Sequence, residues 1–204
     1  LCDVALIRYA LALLVGHGVR DIVINVHHLG RAIEDELGDG DDVGARIVYS
    51  REATLLGTGG GLRRALALLG DEPFFVVNGK IVIDLDLGDV MAAHKQSGAL
   101  ATLVVRPDPA AQTWGAIDAP ADGGAIRSIL GTGDYMFTGV HVIAPELIAR
   151  LADQDEPQCI VKQGYLPWLA QGDALNAYVT RSYFMEHSTP ERYWQGTQNL
   201  LSRL

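Results

Sequence analysis

Residues 47–86 alternate between short apolar runs and a helical pattern, and this alternation restricts the possible folds of the chain more than any other feature. A β-branched run at residues 47–49 leads into a glycine-rich segment, which opens an amphipathic helix ending at Gly70. A second apolar run, Phe74–Val77, follows. A strand, a helix and a strand in this order are typical of a βαβ unit with parallel strands. The sequence therefore predicts an α/β fold.

The same alternation continues on both sides of this segment. Further helices are predicted at residues 4–15, 31–37, 87–96, 145–151 and 164–171, and from Pro190 onward with Thr189 as the N-cap. Further strands are predicted at residues 21–26, 101–105, 137–143 and 174–179. Beyond Arg106 the runs shorten and prolines become frequent, so we expect a mixed sheet there. No linker, repeat or low-complexity run divides the chain, which predicts a single domain over residues 1–204.

The charge of the chain limits its partners. A net charge of -9 argues against nucleic acid, because the overall field of the protein repels a polyanion. A small anion such as a nucleotide must therefore be met by local cations and backbone N–H groups. The apolar stretch at residues 4–19 contains Arg8, Gly16 and His17 and is too short to span a bilayer. We expect a soluble protein with no membrane partner and no signal peptide.

The two cysteines give information about the cellular compartment but do not indicate a catalytic or metal-binding role. Cys2 and Cys159 have neither a spacing that would bind a metal nor a pattern of disulfide partners. The simplest interpretation is a reducing, cytoplasmic compartment in which both thiols are packing residues.

The glycine-rich segment favours a ligand. Gly57, Gly59, Gly60 and Gly61 lack a Cβ, so a flat ligand or a phosphate can approach the backbone closely at the start of the helix. The alternative is that these glycines only form the turn that begins the helix. Their number exceeds what a helix start requires, so we predict ligand contact.

A polar segment also follows the second strand of this unit. Asn78, Gly79 and Lys80 come directly after Phe74–Val77, at the carboxyl end of the predicted strand. In open α/β sheets, ligands bind at that edge. The sequence therefore predicts a binding site where this strand ends.

Six segments of the chain, taken in order, resemble the sugar-nucleotide pyrophosphorylases. They are VRDIVINVHHLGRAIEDEL from Val19, SREATLLGTGGG from Ser50, FFVVNG from Phe74, the Trp114-Gly115 pair, FTGVHVIAPEL from Phe137 and FMEHSTPERY from Phe184. These nucleotidyltransferases join a sugar 1-phosphate to a nucleoside triphosphate and release pyrophosphate. The pattern is similar to that of short bacterial members that activate mannose or muramic acid phosphates. The resemblance implies a Rossmann-like, three-layer, GT-A-like fold with a mixed, mostly parallel central sheet, and Mg²⁺ as cofactor.

The resemblance also implies roles for individual residues. The nucleotide-binding positions are Glu52, Gly57, Thr58, Gly59, Asn78 and Gly79. The sugar-binding positions are Trp114, Gly115, Thr138 and Gly139. The catalytic positions are occupied by Lys80 and Glu186, and the metal position by Glu186. Structural alternatives stay open, with Glu52 as a solvated loop residue, Asn78-Gly79 as a turn and Trp114 as a core side chain.

Three departures from the family pattern bear on activity. Members begin with a strand and a GxGTR-type loop that wraps the triphosphate, followed by a lysine, whereas this sequence begins after those elements. Lys80 stands where members carry the aspartate that holds the catalytic magnesium, so a cation replaces a metal ligand. The second metal-binding aspartate is replaced by Glu186, and His187 and Ser188 are also off the pattern. Glutamate can still bind magnesium, but its extra methylene shifts the carboxylate.

Two other groups of side chains invite a metal interpretation. His27 and His28 end a predicted strand, but members of this type carry the same Asn-x-His-His run without a zinc site. Asp84 and Asp86 alternate along an extended segment and could recruit magnesium in place of the missing aspartate. The alternatives for these two are exposure to solvent and capping of the helix that begins near Gly88.

Two functions follow from these observations. The first is transfer of a nucleotidyl group from a nucleoside triphosphate to a sugar 1-phosphate. The second is a catalytically impaired relative that binds a nucleotide or sugar nucleotide, or that assembles with an active subunit. In this family the first strand lies between those predicted at residues 21–26 and Phe74–Val77. Without it we expect an open gap, direct pairing of the two strands or a slot filled by another chain, and hence a homo-oligomer or a poorly stable protein.

Overall fold

The computed structural model describes residues 1–203, so Leu204, the last residue of the predicted domain, lies outside the described residues. The helices are α1 (Leu6–Gly16), α2 (Gly30–Leu37), α3 (Gly57–Ala65), α4 (Leu87–Ser97), α5 (Ala111–Trp114), α6 (Pro145–Ala149), α7 (Leu166–Ala170) and α8 (Pro190–Leu201). Short 3-10 segments lie at Asp41–Val43 and Leu66–Leu68, and a π-helical turn at Ile160–Tyr165 directly precedes α7. None of the helices within residues 1–203 is long and apolar enough to cross a membrane.

The strands are short, apart from two in the centre of the largest sheet. They are β1 (Asp21–Val26), β2 (Arg46–Arg51), β3 (Phe74–Val77), β4 (Ile81–Ile83), β5 (Ala101–Pro107), β6 (Ile117–Asp118), β7 (Gly124–Ala125), β8 (Ser128–Ile129), β9 (Tyr135–Ile143), β10 (Leu175–Val179) and β11 (Phe184–Glu186). β5 and β9 are the longest, and nearly all of their residues are buried.

The largest sheet is organised around β9. This strand runs antiparallel to both β3 and β5, while β10 pairs with β5 in parallel. β3, β5 and β10 therefore share one direction, and β9 runs against them. β7 extends the sheet beyond β10, and β6 pairs with β8 beside the start of β9.

The predicted α/β class and the mixed sheet are confirmed, but the neighbours of two strands differ from the expected ones. Strand and helix alternation predicted parallel pairing for β3 and β5, whereas β9 inserts between them and is antiparallel to both. The order of strands in a chain does not fix their order in a sheet, and β9 is buried over enough of its length to be flanked on both sides. Within residues 1–203 the parallel pairs are β1 with β2 and β5 with β10, so the sheet is more mixed than predicted.

A gap separates β1 from β3. Within residues 1–203, β1 pairs with β2 alone and β3 pairs with β9 alone. Of the three arrangements expected for this region, direct pairing of the two strands is thus absent within residues 1–203, and an open gap or a slot filled by another chain stays a prediction. Helix α1 spans it on one side, since Leu14 packs both against the cluster that contains β1 and against the one that contains β3.

The main core lies between the central strands and helices α6 and α7. It includes Leu103, Ile143, Leu147 and Trp168. His141 and Tyr165 hydrogen-bond to each other inside it. Because burial lowers the pKa of His141 to about 3, its ring is neutral, and we assign this pair a structural role.

Four local predictions are wrong. The glycines at residues 57–61 form the first turns of α3 rather than a segment that precedes the helix, and α3 ends at Ala65 because the chain tightens into a 3-10 segment before Gly70. The helix predicted from Gly164 begins earlier, because the Gln163 side chain accepts a hydrogen bond from the Cys159 N–H and so caps the π-helical turn. Cys159 is exposed rather than packed, since it follows an exposed loop.

The predicted cap of the last helix is confirmed. Thr189 Oγ1 accepts a hydrogen bond from the Arg192 backbone N–H over 3.2 Å. Asp86 caps α4 in the same way, accepting from the Asp89 N–H over 3.1 Å. Asp86 therefore caps the helix and is also exposed, and Asp84 is exposed, so the structure contains both alternatives.

Candidate functional site

The carboxyl end of β3 contacts β9 through two predicted site residues. The Asn78 backbone N–H donates a hydrogen bond to the Gly139 carbonyl over 3.1 Å. Gly139 has a φ of +83°, and a Cβ at this position would overlap the Asn78 side chain. Only glycine fits both conditions. The structure therefore brings together a predicted nucleotide-binding residue and a predicted sugar-binding residue, with Gly79 exposed beside them.

Thr138 precedes Gly139 but faces the interior. Thr138 is only 2% exposed to solvent. Thr138 Oγ1 donates to the Val104 carbonyl over 2.8 Å and accepts from the Val140 N–H over 3.2 Å. A hydroxyl engaged in this way has no free hydrogen to donate to a sugar, so Gly139 is the member of the pair that reaches the edge.

Lys80 and Glu186 form an ion pair, with 2.9 Å between Lys80 Nζ and Glu186 Oε1. Two strands position it: β4 begins directly after Lys80 and pairs with β11, which ends at Glu186. The His187 N–H donates to the Lys80 carbonyl over 2.9 Å and extends this pairing by one residue. Lys80 and Glu186, two of the residues that depart from the family pattern, therefore contact each other.

The second carboxylate oxygen of Glu186 is also occupied. Glu186 Oε2 accepts hydrogen bonds from the Arg192 guanidinium and from Ser188 Oγ, the latter over 2.7 Å. Burial on its own raises the pKa of Glu186, but the hydrogen bonds from Lys80, Ser188 and Arg192 outweigh it and lower the pKa to about 2. Glu186 is therefore ionised at neutral pH, and two protein cations balance its charge.

The residues at this position do not fit a magnesium ion. Mg²⁺ requires several oxygen ligands in near-octahedral geometry. Both oxygens of Glu186 face cationic groups, and the ammonium of Lys80 would repel a metal ion there. Within residues 1–203, no cluster of three or more His, Cys, Asp or Glu side chains could hold a metal ion. His27, one of the two histidines considered for zinc, instead uses Nδ1 in a hydrogen bond to the Glu52 carbonyl.

Trp114 borders the ion pair from a different element. It is 46% exposed, which rules out the alternative of a core side chain. The Arg192 guanidinium lies 4.4 Å above its ring in a cation–π contact. Trp114, Glu186 and Arg192 line a cleft of about 150 Å³. Gly115 ends the short helix α5 behind Trp114, with a φ of +90° that favours glycine.

The glycines of α3 face a second stretch of protein backbone. The Gly59 N–H donates to the Gln158 carbonyl over 2.8 Å. A Cβ at Gly57 would lie 2.8 Å from the same oxygen. The absence of side chains at Gly57 and Gly59 is thus explained by close packing against Gln158. Thr58 lies between them and is exposed; nucleotide contact by these three residues stays a prediction.

Glu52 is buried and holds the glycine helix in place. It is 6% exposed, so the solvated-loop alternative does not apply. Glu52 Oε1 accepts from Asn25 Nδ2 over 2.9 Å, and Glu52 Oε2 accepts from the Leu56 N–H over 3.1 Å. A Cβ at Gly61 would lie 2.6 Å from Glu52 Oε1. The predicted site residues thus fall into two groups, one around Glu52 and α3, the other around Lys80 and Glu186.

Substituting Gly57 tests the packing of the glycine helix. We expect Gly57→Ala to lower the free energy of unfolding by about 1–2 kcal/mol through its φ of +69° alone, with a further cost from the contact with the Gln158 carbonyl. Gly70→Ala is the matched control, because Gly70 has a φ of +71° and open space around it. Urea denaturation measures both variants. Equal losses of stability would contradict the close contact with Gln158.

Comparison with known proteins identifies the family. The model of the family described as nucleotidyl transferase matches residues 2–199. The chain belongs to the nucleotidyl transferase family. Among curated relatives, the N-acetylmuramate alpha-1-phosphate uridylyltransferase of Neisseria meningitidis is 38% identical over 156 residues, which cover 72% of this chain and 66% of the relative. The mannose-1-phosphate guanylyltransferase catalytic subunit beta of Danio rerio is 27% identical, over 96% of this chain and 56% of the relative.

Solved structures agree with this family in fold. HddC from Yersinia pseudotuberculosis superposes with a TM-score of 0.78 at 21% identity, covering 96% of this chain and 84% of HddC. The UTP-bound UGPase from Acinetobacter baumannii superposes with a TM-score of 0.81 at 16% identity, covering 96% and 81%. The nucleotidyltransferase fold is therefore confirmed. The chain spans between about half and two thirds of the length of the curated relatives named above.

Two residues of the candidate site, Arg192 and Gln158, were not identified from the sequence. Arg192 binds Glu186 and covers Trp114, and its position in the first turn of α8, within the FMEHSTPERY segment, was the available signal. Gln158 packs on the glycines from a loop about 100 residues away in sequence. No local pattern marks that contact.

Proposed function

We propose that the protein transfers a nucleotidyl group from a nucleoside triphosphate to a sugar 1-phosphate, with release of pyrophosphate. The observation that carries this proposal is the family match over residues 2–199, because it includes both groups of site residues. The edge formed by Asn78, Gly79 and Gly139 supports it, since ligands of α/β sheets bind at the carboxyl ends of strands.

The chemistry of such a transfer is in-line attack of a sugar phosphate oxygen on the α-phosphorus, and it depends on positioning and charge. Lys80 and Arg192 would supply the positive charge. Lys80 Nζ has hydrogens beyond the one that binds Glu186, and the Arg192 guanidinium has further N–H donors. Trp114 would hold Arg192 in place and border the sugar.

A second candidate function is binding of a nucleotide or sugar nucleotide without efficient turnover. The Lys80–Glu186 ion pair favours it, because it takes the carboxylate that would otherwise bind a metal ion. Lysine can contact phosphate directly as a point charge. Such a contact preserves binding more readily than it stabilises a transition state.

The proposal includes a cofactor and a location. Magnesium is the cofactor that the family resemblance implies, and we expect the Lys80–Glu186 ion pair to weaken its binding here. A cytoplasmic location is supported by two free cysteines within residues 1–203, which suit a reducing compartment.

Pyrophosphate release decides between the two functions. The protein is incubated with Mg²⁺, each common nucleoside triphosphate and a panel of sugar 1-phosphates, and nucleotide binding is measured in parallel. We expect binding together with release far below the typical turnover of about 10 per second. Release for one substrate pair supports transfer, and binding without release supports the second function. The absence of both would overturn both, and turnover within about tenfold of the typical value would contradict the role given to Lys80.

A further inference from the structure

Three arginines line a second cavity, which is separate from the Glu186 cleft. Each of them lies at or just beyond the end of a different helix or strand. Arg106 lies at the end of β5, Arg181 follows β10, and Arg203 follows α8. The cavity has a volume of about 450 Å³, within the range of small-molecule sites. Its other polar lining includes Ser182, Tyr183 and Asn199.

The three guanidinium groups lack acidic partners. Within residues 1–203, no carboxylate lines the cavity and none forms an ion pair with these arginines. Most of the other arginines do pair with a carboxylate. In a chain of net charge -9, three neighbouring unpaired cations are a local exception to the overall field. An anion bound between them would relieve their mutual repulsion.

Two residues that line the cavity each carry a buried polar atom without a partner. Arg106 Nε and Tyr183 Oη are buried, and neither has a hydrogen-bond partner among the described residues. A buried donor without a partner is unfavourable unless a ligand or water satisfies it.

Aromatic rings hold two of the guanidinium groups in position. The Arg203 guanidinium lies 4.0 Å above the Tyr183 ring, and that of Arg106 lies 5.4 Å above the Phe184 ring. Stacked in this way, each group loses less conformational freedom when it binds a ligand. The planar donor edge of a guanidinium matches two oxygens of a phosphate.

We propose that this cavity binds a small phosphate-bearing anion, such as inorganic phosphate or a phosphomonoester. The site goes beyond the proposed transfer reaction, because it contains neither Lys80 nor Arg192. It adjoins the Glu186 cleft, since Arg106 and Phe184 line both. Phe184 and Glu186 belong to the same short strand, β11.

Calorimetric titration with inorganic phosphate tests the proposal. We expect the unaltered protein to bind phosphate with a Kd on the order of 1 mM or tighter. Arg181→Gln and Arg203→Gln should each weaken binding about tenfold or more, because each removes charged hydrogen bonds. Arg64→Gln is the matched control. Arg64 is exposed on α3 and lies outside the cavity, and its substitution by Gln changes the net charge by the same amount.

Three results would overturn the proposal. The first is no phosphate binding by the unaltered protein. The second is an equal loss of binding in Arg64→Gln, which would indicate only a response to net charge. Lys80→Gln separates this site from the proposed function, since it should leave phosphate binding at the arginines intact. A loss confined to Lys80→Gln would assign phosphate to the Glu186 cleft and also contradict the proposal.

Discussion

The Lys80→Asp substitution is expected to raise the affinity of the protein for Mg²⁺ by about tenfold or more. It removes a positive charge 2.9 Å from Glu186 and adds a carboxylate beside it. At an effective dielectric near 20, repulsion between two unit charges at 4 Å is about 4 kcal/mol, and a divalent ion doubles it. The Lys80 side chain is 54% exposed, so water screens part of this repulsion. A tenfold change in magnesium affinity requires the loss of only about 1.4 kcal/mol of this repulsion.

Magnesium titration by calorimetry measures this effect. Lys95→Asp is the matched control, because Lys95 is an exposed residue of α4 and the change in net charge is the same. We do not expect Lys80→Asp alone to restore turnover; a variant that also carries a grafted GxGTR and lysine segment should recover magnesium-dependent release of pyrophosphate. An equal magnesium affinity in the two variants would mean that Lys80 does not occupy the metal position.

The gap between β1 and β3 is expected to make the protein comprising Leu1–Leu204 either associate with itself or unfold easily. Each of these strands has one edge without a strand partner within residues 1–203. Each backbone N–H or C=O group that such an edge shields from water without a partner would cost about 1–3 kcal/mol, against the 5–15 kcal/mol by which a typical domain is stable. Exposed strand edges are also sites of association.

Sedimentation and thermal melting test this expectation together. We predict either oligomers or a melting temperature well below 60 °C, about the upper end for mesophile domains. Dilution should lower the melting temperature if association through the edge stabilises the fold. A monomer with a sharp transition above about 60 °C would contradict the account of the gap, because α1 would then be sufficient to close the sheet.

Elements with strong local signals were predictable from sequence. The apolar runs of β1 and β3, the Thr189 cap of α8 and the polar segment after β3 all depend on residues close together in the chain. The resemblance to the family added Trp114 and Gly139, which the structure places at the edges of the candidate site. Local pattern and family resemblance together identified one face of the protein.

Features that depend on distant residues were not predictable. The place of β9 between β3 and β5 is decided by burial on both of its edges. The packing of the α3 glycines on Gln158, and the ion pair of Lys80 with a residue more than a hundred positions away, join segments that no local pattern links. Contacts of this kind follow from the assembled fold.

Nucleotide affinity with and without magnesium tests the central claim most directly. The claim is that Lys80 and Arg192, rather than a metal ion, meet the phosphates at the edge beside Glu186. For the unaltered chain, calorimetric titration with each nucleoside triphosphate should give at least one measurable Kd, equal within about twofold in excess Mg²⁺ and in EDTA. A Kd tighter by about tenfold or more in Mg²⁺, or no binding in either buffer, would contradict it.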